Sequence, residues 1–397
     1  MRAESSAPIR HDVFAVAAPG LAPLIAAECT DLGLAPTDVS AVGVSLSLTT
    51  RELFTLACWT RCASRVLLRL REFTARDFAT LEKQATRVDW SRVIAPNAAV
   101  SLRVTCRKSR LYHSDAVAER IARGIAGAVS GVRVDAAADD DSENTESPQL
   151  IVVRFDHDRC TISADATGML HRRGWRQAVA KAPLRETLAA SMLAGVGWDG
   201  SEPLVDPFCG SGTIGIEAAL RARRMAPGVH RRFAMEQWPS APTAQFEEVR
   251  ALARAMARPS LSVPIVLSDR DEGAVRATLA NAERAGVLGD ITVVRRALSD
   301  TLLSSIGASG WLLTNPPYGL RVSDGADLRG LFARLGQVMA EGGAGWKLGL
   351  LMPNDRRLLA QLGGGMRPLF STENGGLPVQ LFGSADITRG NNPRASS

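Results

Sequence analysis

Apolar and polar positions alternate with a period of two along Val42-Gly43-Val44-Ser45-Leu46-Ser47-Leu48, the signature of a strand covered on one face. Asp12 to Ala17 and Val66 to Phe73 read as strands too. Between these runs, Leu21 to Leu32 (after Pro19-Gly20) and Thr50 to Ser64 carry helical spacing, with Thr49 or Thr50 available as a cap for the second. This β-α-β-α-β order predicts a small α+β module over residues 1–75. A second module is expected over 76–165, with a helix at Asp77 to Val88, a strand at Ala99 to Cys106 and a helix at Ser114 to Val129. The acidic, small-residue stretch Val134 to Pro148 reads as a flexible loop ahead of a strand pair, Leu150 to Phe155 and Cys160 to Ala164. Residues 166–202 form a connector with an amphipathic helix from Pro183 to Ala194.

From residue 203 to 397 the pattern changes to strands alternating with helices, as a mostly parallel sheet requires. Candidate strands are Leu204 to Asp206, Pro264 to Ser268, Ile291 to Arg295, Gly310 to Thr314 and Lys347 to Met352. Helical spacing follows the first of them over Ile214 to Leu220 and the second over Glu272 to Ala285. Asn374-Gly375 between apolar runs signals a hairpin that appends an antiparallel edge.

Composition narrows the class. With 46% hydrophobic and 22% charged residues over 397 positions, the chain is globular and long enough for two or three domains. A net charge of +6 permits a nucleic-acid partner, and six of the acids crowd between Val134 and Leu150, leaving the remainder more basic still. The cations are almost all arginine, which suits phosphate recognition but also suits an arginine-rich genome. Six cysteines show neither metal-ligand spacing nor a dense disulfide framework, so free thiols and no metal are expected. The N-terminus has no signal-peptide pattern, and its most apolar part, Val13 to Ala27, is broken by Pro19 and Pro23. A cytoplasmic protein without a membrane span is expected, and a monomer is favoured.

The candidate chemistry sits at strand ends. Asp206-Pro207-Phe208-Cys209-Gly210-Ser211-Gly212-Thr213 joins the first strand of the parallel region to its helix, where open α/β sheets bind ligands. Gly210 and Gly212 are expected to let a ligand approach the backbone. No lysine follows for a phosphate, which argues against a nucleotide triphosphatase, and an acid at position 206 suits a positive amino group. Asp269 ends the next strand and is placed to accept ribose hydroxyls. The usual spacing of about 20 residues would point instead to Glu236, which lies in an apparent insertion; Asp269 is preferred because it terminates an apolar strand, with Asp271 as the helix cap.

The most specific stretch is Thr314-Asn315-Pro316-Pro317-Tyr318-Gly319. Successive prolines lack N–H groups and stiffen the local carbonyls. Asn315 Oδ1 and the Pro316 carbonyl then form a pair of acceptors beside an aromatic ring, which is what an exocyclic amine on a flat base requires. Cys209 is a small packing residue in this reading, not a nucleophile.

The loop from Asp206 and the sequence Asn315-Pro-Pro-Tyr-Gly resemble the cofactor loop and target-amine motif of class I S-adenosylmethionine-dependent amino-methyltransferases. His171-Arg-Arg-Gly-Trp-Arg, Ala182-Pro-Leu-Arg-Glu and Ser109-Arg-Leu-Tyr-His-Ser are similar to THUMP-domain RNA guanine-N2 methyltransferases acting on ribosomal or transfer RNA. The resemblance implies a ferredoxin-like module (1–75), a THUMP RNA-binding module (76–165), the connector and a Rossmann-like catalytic domain (203–397) with a mostly parallel seven-stranded sheet. It implies S-adenosylmethionine at Asp206, Phe208, Cys209, Gly210, Gly212, Thr213, Asp269 and Arg270, and the target base at Asn315, Pro316, Pro317 and Tyr318. Where the family often has an acid near the cofactor adenine, this chain has Ala297, with Asp300 three residues on. Structured RNA is expected to meet the basic turn Arg107, Lys108, Arg110, Tyr112 and His113, and also Arg172, Arg173 and Arg176, for which structural ion pairs are the alternative. Two further readings stay open: adenine-N6 transfer on RNA or DNA, since the same motif serves both amines, and a non-catalytic RNA-binding or assembly factor.

Overall fold

The computed structural model describes residues 9–136, 148–177, 184–318, 328–363 and 365–384. Ala182, Pro183, Gly319 and most of the acidic stretch after Ala136 lie outside the described residues. The chain forms β1 (His11–Val16), α1 (Ala22–Asp31), β2 (Pro36–Ser40), β3 (Gly43–Leu48), α2 (Thr50–Trp59) and β4 (Arg65–Thr74), then α3 (Phe78–Ala85), β5 (Ala99–Arg107), α4 (Ser114–Ala128), β6 (Arg133–Ala136), β7 (Gln149–Asp156) and β8 (Arg159–Asp165). Thr49 and Glu52 cap α2 reciprocally through 3.2 and 2.8 Å bonds.

These strands make one eight-stranded sheet, ordered β2-β3-β1-β4-β8-β7-β5-β6. β4 pairs antiparallel with β8 from Leu67↔Asp165 to Thr74↔Arg159, so the two modules read on either side of residue 75 share a sheet and one apolar core. Two edge strands were not anticipated. β2 carries only Val39 as a large apolar residue, and β6 occupies the start of the stretch read as a loop. β6 pairs in parallel register with β5, Ala99↔Arg133 to Leu102↔Ala136. Backbone pairing, not side-chain burial, holds such an edge strand, so it leaves little apolar pattern.

The remainder folds as α5 (Glu186–Gly195), β9 (Leu204–Asp206), α6 (Thr213–Ala222), α7 (Thr243–Ala255), β10 (Ile265–Asp269), α8 (Glu272–Arg284), β11 (Ile291–Arg295), β12 (Gly310–Thr314), α9 (Leu328–Gly342), β13 (Trp346–Met352), α10 (Arg356–Ala360), β14 (Met366–Asn374) and β15 (Leu377–Ser384). The expected seven-stranded sheet is present, ordered β11-β10-β9-β12-β13-β15-β14, parallel except where β15 joins β13 and β14. β9 sits between β10 and β12, so the order reverses there and the carboxyl ends of all three open side by side.

The hairpin turn differs in register from the expected Asn-Gly. Asn374 still pairs with Leu377, and Gly375 and Gly376 take the turn at φ 59° and 79°, both left-handed. That leaves the Asn374 side chain free to point inward. The insertion between α6 and β10 packs against α2 of the first module: Phe246 of α7 stacks on Phe54 at 4.2 Å and Phe233 meets the same ring edge-on at 5.5 Å. Glu236, in that insertion, is committed to Arg250 at 2.7 Å.

Candidate active site

β9 ends on Asp206, whose side chain is 1% exposed. Its Oδ1 accepts from Thr314 Oγ1 at 2.6 Å and from Phe208 N at 3.1 Å, while Oδ2 accepts nothing among the described residues. Burial pushes this carboxyl up to about 7, and the nearby Asp269 adds to the rise against the two hydrogen bonds. Unfolded, the group would lose its proton near 3.8, so across the interval up to about 7 the native state holds a proton that the unfolded chain has released. Stability of the ligand-free protein is therefore expected to fall as pH rises from about 4 to 7, and to level off above. Thermal melts across this range check it, with Asp206→Asn expected to reduce the slope. Glu186, also held up at about 7 by burial, contributes in the same direction.

The loop after Asp206 is fastened from β10 and α8. Cys209 N donates to Ser268 O at 3.0 Å, and Gly210 N to Asp269 Oδ2 at 3.1 Å. Thr278 Oγ1 donates to Gly210 O at 2.9 Å, and Asn281 Nδ2 to Ser211 O at 3.0 Å. The glycines have separate reasons. Gly210, at φ 55°, has open space where a Cβ would stand, whereas a Cβ on Gly212, at φ 85°, would come within 2.8 Å of Thr278 Cγ2. The first leaves room for a ligand; the second is a packing requirement of α6 against α8, not the ligand approach expected from sequence. The Cys209 thiol is buried and its pKa raised by that burial, with Asp206 reinforcing the effect, so a thiolate is disfavoured there.

Asp269 also holds Asp271 N at 3.0 Å, so each of its oxygens already accepts one backbone bond and retains a second lone pair. Asp271 caps α8 through Ala274 N at 2.7 Å, as expected. Arg270 is exposed, and the Thr213 hydroxyl takes a 3.1 Å bond from Arg176. Asp300 is exposed and accepts from Ser299 at 3.0 Å.

Asn315 to Tyr318 follow β12 directly, so the acceptor pair begins one residue after the Thr314 hydroxyl that touches Asp206. Asn315 and Pro317 are half-buried and Pro316 is buried. Tyr318 corrects an expectation: it is 2% exposed, and its hydroxyl accepts from Asn374 Nδ2 at 2.8 Å. The ring forms part of the wall in this conformation and is not an open stacking face, because the hairpin supplies a polar partner that fixes it from behind.

The basic turn is built to display its cations. Asp158 Oδ1 accepts from Arg110 N at 2.7 Å and Asp158 N donates to Ser109 Oγ at 2.9 Å, locking the backbone while Arg107, Lys108, Arg110, Tyr112 and His113 stay exposed. Arg172 is half-buried. Arg173 is a correction: its side chain is 2% exposed, 3.2 Å from Glu217, so the guanidinium is spent inside the protein where no phosphate can reach. Arg61, Thr278 and Asn281 carry no local sequence signal, and the roles of Thr314 and Asn374, which the sequence places only in a strand end and a hairpin, are revealed by their distant partners. Among the described residues no helix is long and apolar enough to cross a membrane.

Residues 173–367 match the family described as "RMKL-like, methyltransferase domain", and residues 12–67 match the RlmL ferredoxin-like domain. A putative RNA methyltransferase from Synechocystis is 30% identical over 93% of this chain and 95% of its own length. The ribosomal RNA large subunit methyltransferase K/L of Methylococcus capsulatus is 32% identical over 94% of this chain but 51% of its own, so the chain spans about half of that relative. Among solved structures, a possible methylase from Clostridium difficile superposes with a TM-score of 0.83 at 28% identity, covering 97% of this chain and 100% of that one. A putative methyltransferase complexed with SAH gives 0.82 at 25%, covering 94% and 98%. A predicted N6-adenine-specific DNA methylase from Listeria monocytogenes gives 0.82 at 25%, covering 95% and 96%.

Proposed function

The chain belongs to the RMKL-like methyltransferase family, and from that premise we propose that it transfers a methyl group from S-adenosylmethionine to the exocyclic N2 amine of a guanosine in structured RNA. One observation carries the reading. The Asp206 oxygen that accepts nothing among the described residues, the open space before Gly210, and the acceptors of Asn315 and Pro316 lie at the ends of adjacent strands β9 and β12.

S-adenosylmethionine fits these residues. Asp206 Oδ2 offers a carboxylate oxygen to an ammonium, the spare lone pairs of Asp269 suit ribose hydroxyls, and Phe208 to Thr213, with Arg270, border the same loop. When bound, the cofactor supplies an electrophilic methyl on a sulfonium. The protein's own part is to position the amine. An amine conjugated into a purine is a poor nucleophile; Asn315 Oδ1 and the Pro316 carbonyl accept its hydrogens, drawing it toward tetrahedral geometry and exposing its lone pair. Pro317 stiffens that pair, and the base must leave its stack to reach it. Tyr318, anchored by Asn374, shapes the wall behind.

Residues 76–165 act in this reading as the THUMP RNA-binding module, and the turn from Arg107 to His113 touches the backbone. Replacing Arg107, Lys108 and Arg110 together by alanine is expected to weaken RNA binding across sequences and to lower the slope of log affinity against log salt by about one per lost contact. Filter binding at several salt concentrations checks this, and an unchanged slope removes the turn from the interface. Ribosomal RNA is favoured over transfer RNA by the names of the K/L relatives.

The decisive experiment supplies labelled S-adenosylmethionine with ribosomal or transfer RNA and digests the product to nucleosides. Label in N2-methylguanosine is expected. Label only in N6-methyladenosine would establish the second reading, adenine N6, which the description of the Listeria neighbour favours.

A further inference from the structure

Residues 175–177 form a strap stitched at both ends to α8, the helix that also fastens the cofactor loop. Trp175 O accepts from Arg284 Nε at 2.8 Å, and Gln177 N donates at 3.4 Å to Asn281 Oδ1, the same side chain that holds Ser211 O. Between those stitches lies Arg176. Its Nη2 donates to Thr213 Oγ1 at 3.1 Å and to Leu184 O at 2.6 Å, and its Nε lies 3.0 Å from Glu186 Oε1. Nη1 has no hydrogen-bond partner among the described residues. At 12% side-chain exposure the group is too enclosed for an RNA backbone, the contact considered from sequence.

An arginine kept this far from water and bonded to Thr213, the residue that follows the glycine turn, needs a reason beyond its ion pair. Glu186 and Thr213 fix the plane of the guanidinium, and the strap fixes its height over the loop. Asp206 Oδ2, the unpartnered oxygen on the strand leading into the same turn, calls for a cation. A free α-amino acid group carries an ammonium and a carboxylate a few bond lengths apart and would satisfy both. Resting on the cofactor reading above, we infer that Arg176 binds the α-carboxylate of the methionine end of S-adenosylmethionine, opposite Asp206, with Glu186 as its positioning acid. This makes the connector part of the cofactor site rather than a tether between modules.

The test is calorimetric binding to the full chain of two probes, S-adenosylhomocysteine and methylthioadenosine, the second lacking the amino-acid end. Arg176→Met is expected to weaken S-adenosylhomocysteine about tenfold or more, the loss of a charged hydrogen bond, and to leave methylthioadenosine unchanged. Equal losses for both probes, or none for either, would overturn the assignment. Should Arg176→Met fail to fold, Arg176→Lys keeps a buried cation for Glu186 but loses the planar fork. The ratio of the two affinities is then expected to fall about threefold or more, and an unchanged ratio overturns the proposal. Wild-type protein that binds neither probe would instead refute the cofactor reading itself.

Discussion

Asn315→Ala should lower methyl transfer about 10²–10³-fold, the usual consequence of deleting one preorganised group that acts on developing charge. Cofactor affinity should stay at the wild-type level, because Asp206, Gly210 and Asp269 are untouched, Gly210 and Ser211 are fastened from β10 and α8, and the Thr314 hydroxyl that holds Asp206 is kept. Single-turnover rates with saturating RNA, set beside S-adenosylhomocysteine titrations, separate the two effects. A variant that turns over normally would remove Asn315 from the chemistry. A variant that loses cofactor affinity as well would assign it a structural role at the end of β12.

Glu217→Ala should cost about 3–5 kcal/mol of stability, the penalty for leaving buried charge without its partner. Glu217, on α6, is wholly buried, 3.2 Å from Arg173 and 3.8 Å from Arg61. The two arginines also hold the backbone: Arg173 donates to Leu170 O and Arg61 O at 2.7 Å each, and Arg61 to Met225 O at 2.6 Å and Leu220 O at 3.3 Å. Burial lowers the Arg61 pKa to about 10, against the pull of Glu217, so removing the acid leaves two guanidinium groups in a dry site. Glu28 ties the same loop to α1 through Thr60 Oγ1 at 2.9 Å. The network therefore joins α1 and the loop after α2, the connector, and the helix that follows the cofactor loop. Denaturant midpoints measure the loss, with Glu217→Gln expected to recover only part of it. Wild-type stability in Glu217→Ala would mean that the arginines are satisfied by carbonyls alone.

Most of the elements were legible because burial leaves a period. β9, β11 and β12 stand where the alternation and apolar runs put them, and the Thr49–Glu52 capping box begins α2 at its expected residue. The edge strands β2 and β6 left no such trace, since an edge needs hydrogen bonds more than apolar side chains. Helices α7 and α9 carry buried apolar residues at helical spacing, Phe246, Val249 and Ala253 in one and Phe332, Leu335 and Val338 in the other, and lie outside the elements predicted above.

The site divides along similar lines. By itself the sequence determined the strand-end carboxylates, the glycine turn and the Asn-Pro-Pro-Tyr acceptors, because each is a local arrangement of backbone and neighbouring side chains. Only the tertiary structure decided which oxygen of Asp206 is left over, that Tyr318 is pinned by Asn374 rather than open, that Arg173 is spent inside the protein, and that Arg176 is enclosed beside the cofactor loop. Periodicity reports that a face is covered, not what covers it. A buried charge is settled by partners brought together from segments 44 or 108 residues apart, as Arg173 with Glu217 and Asp206 with Thr314 are here.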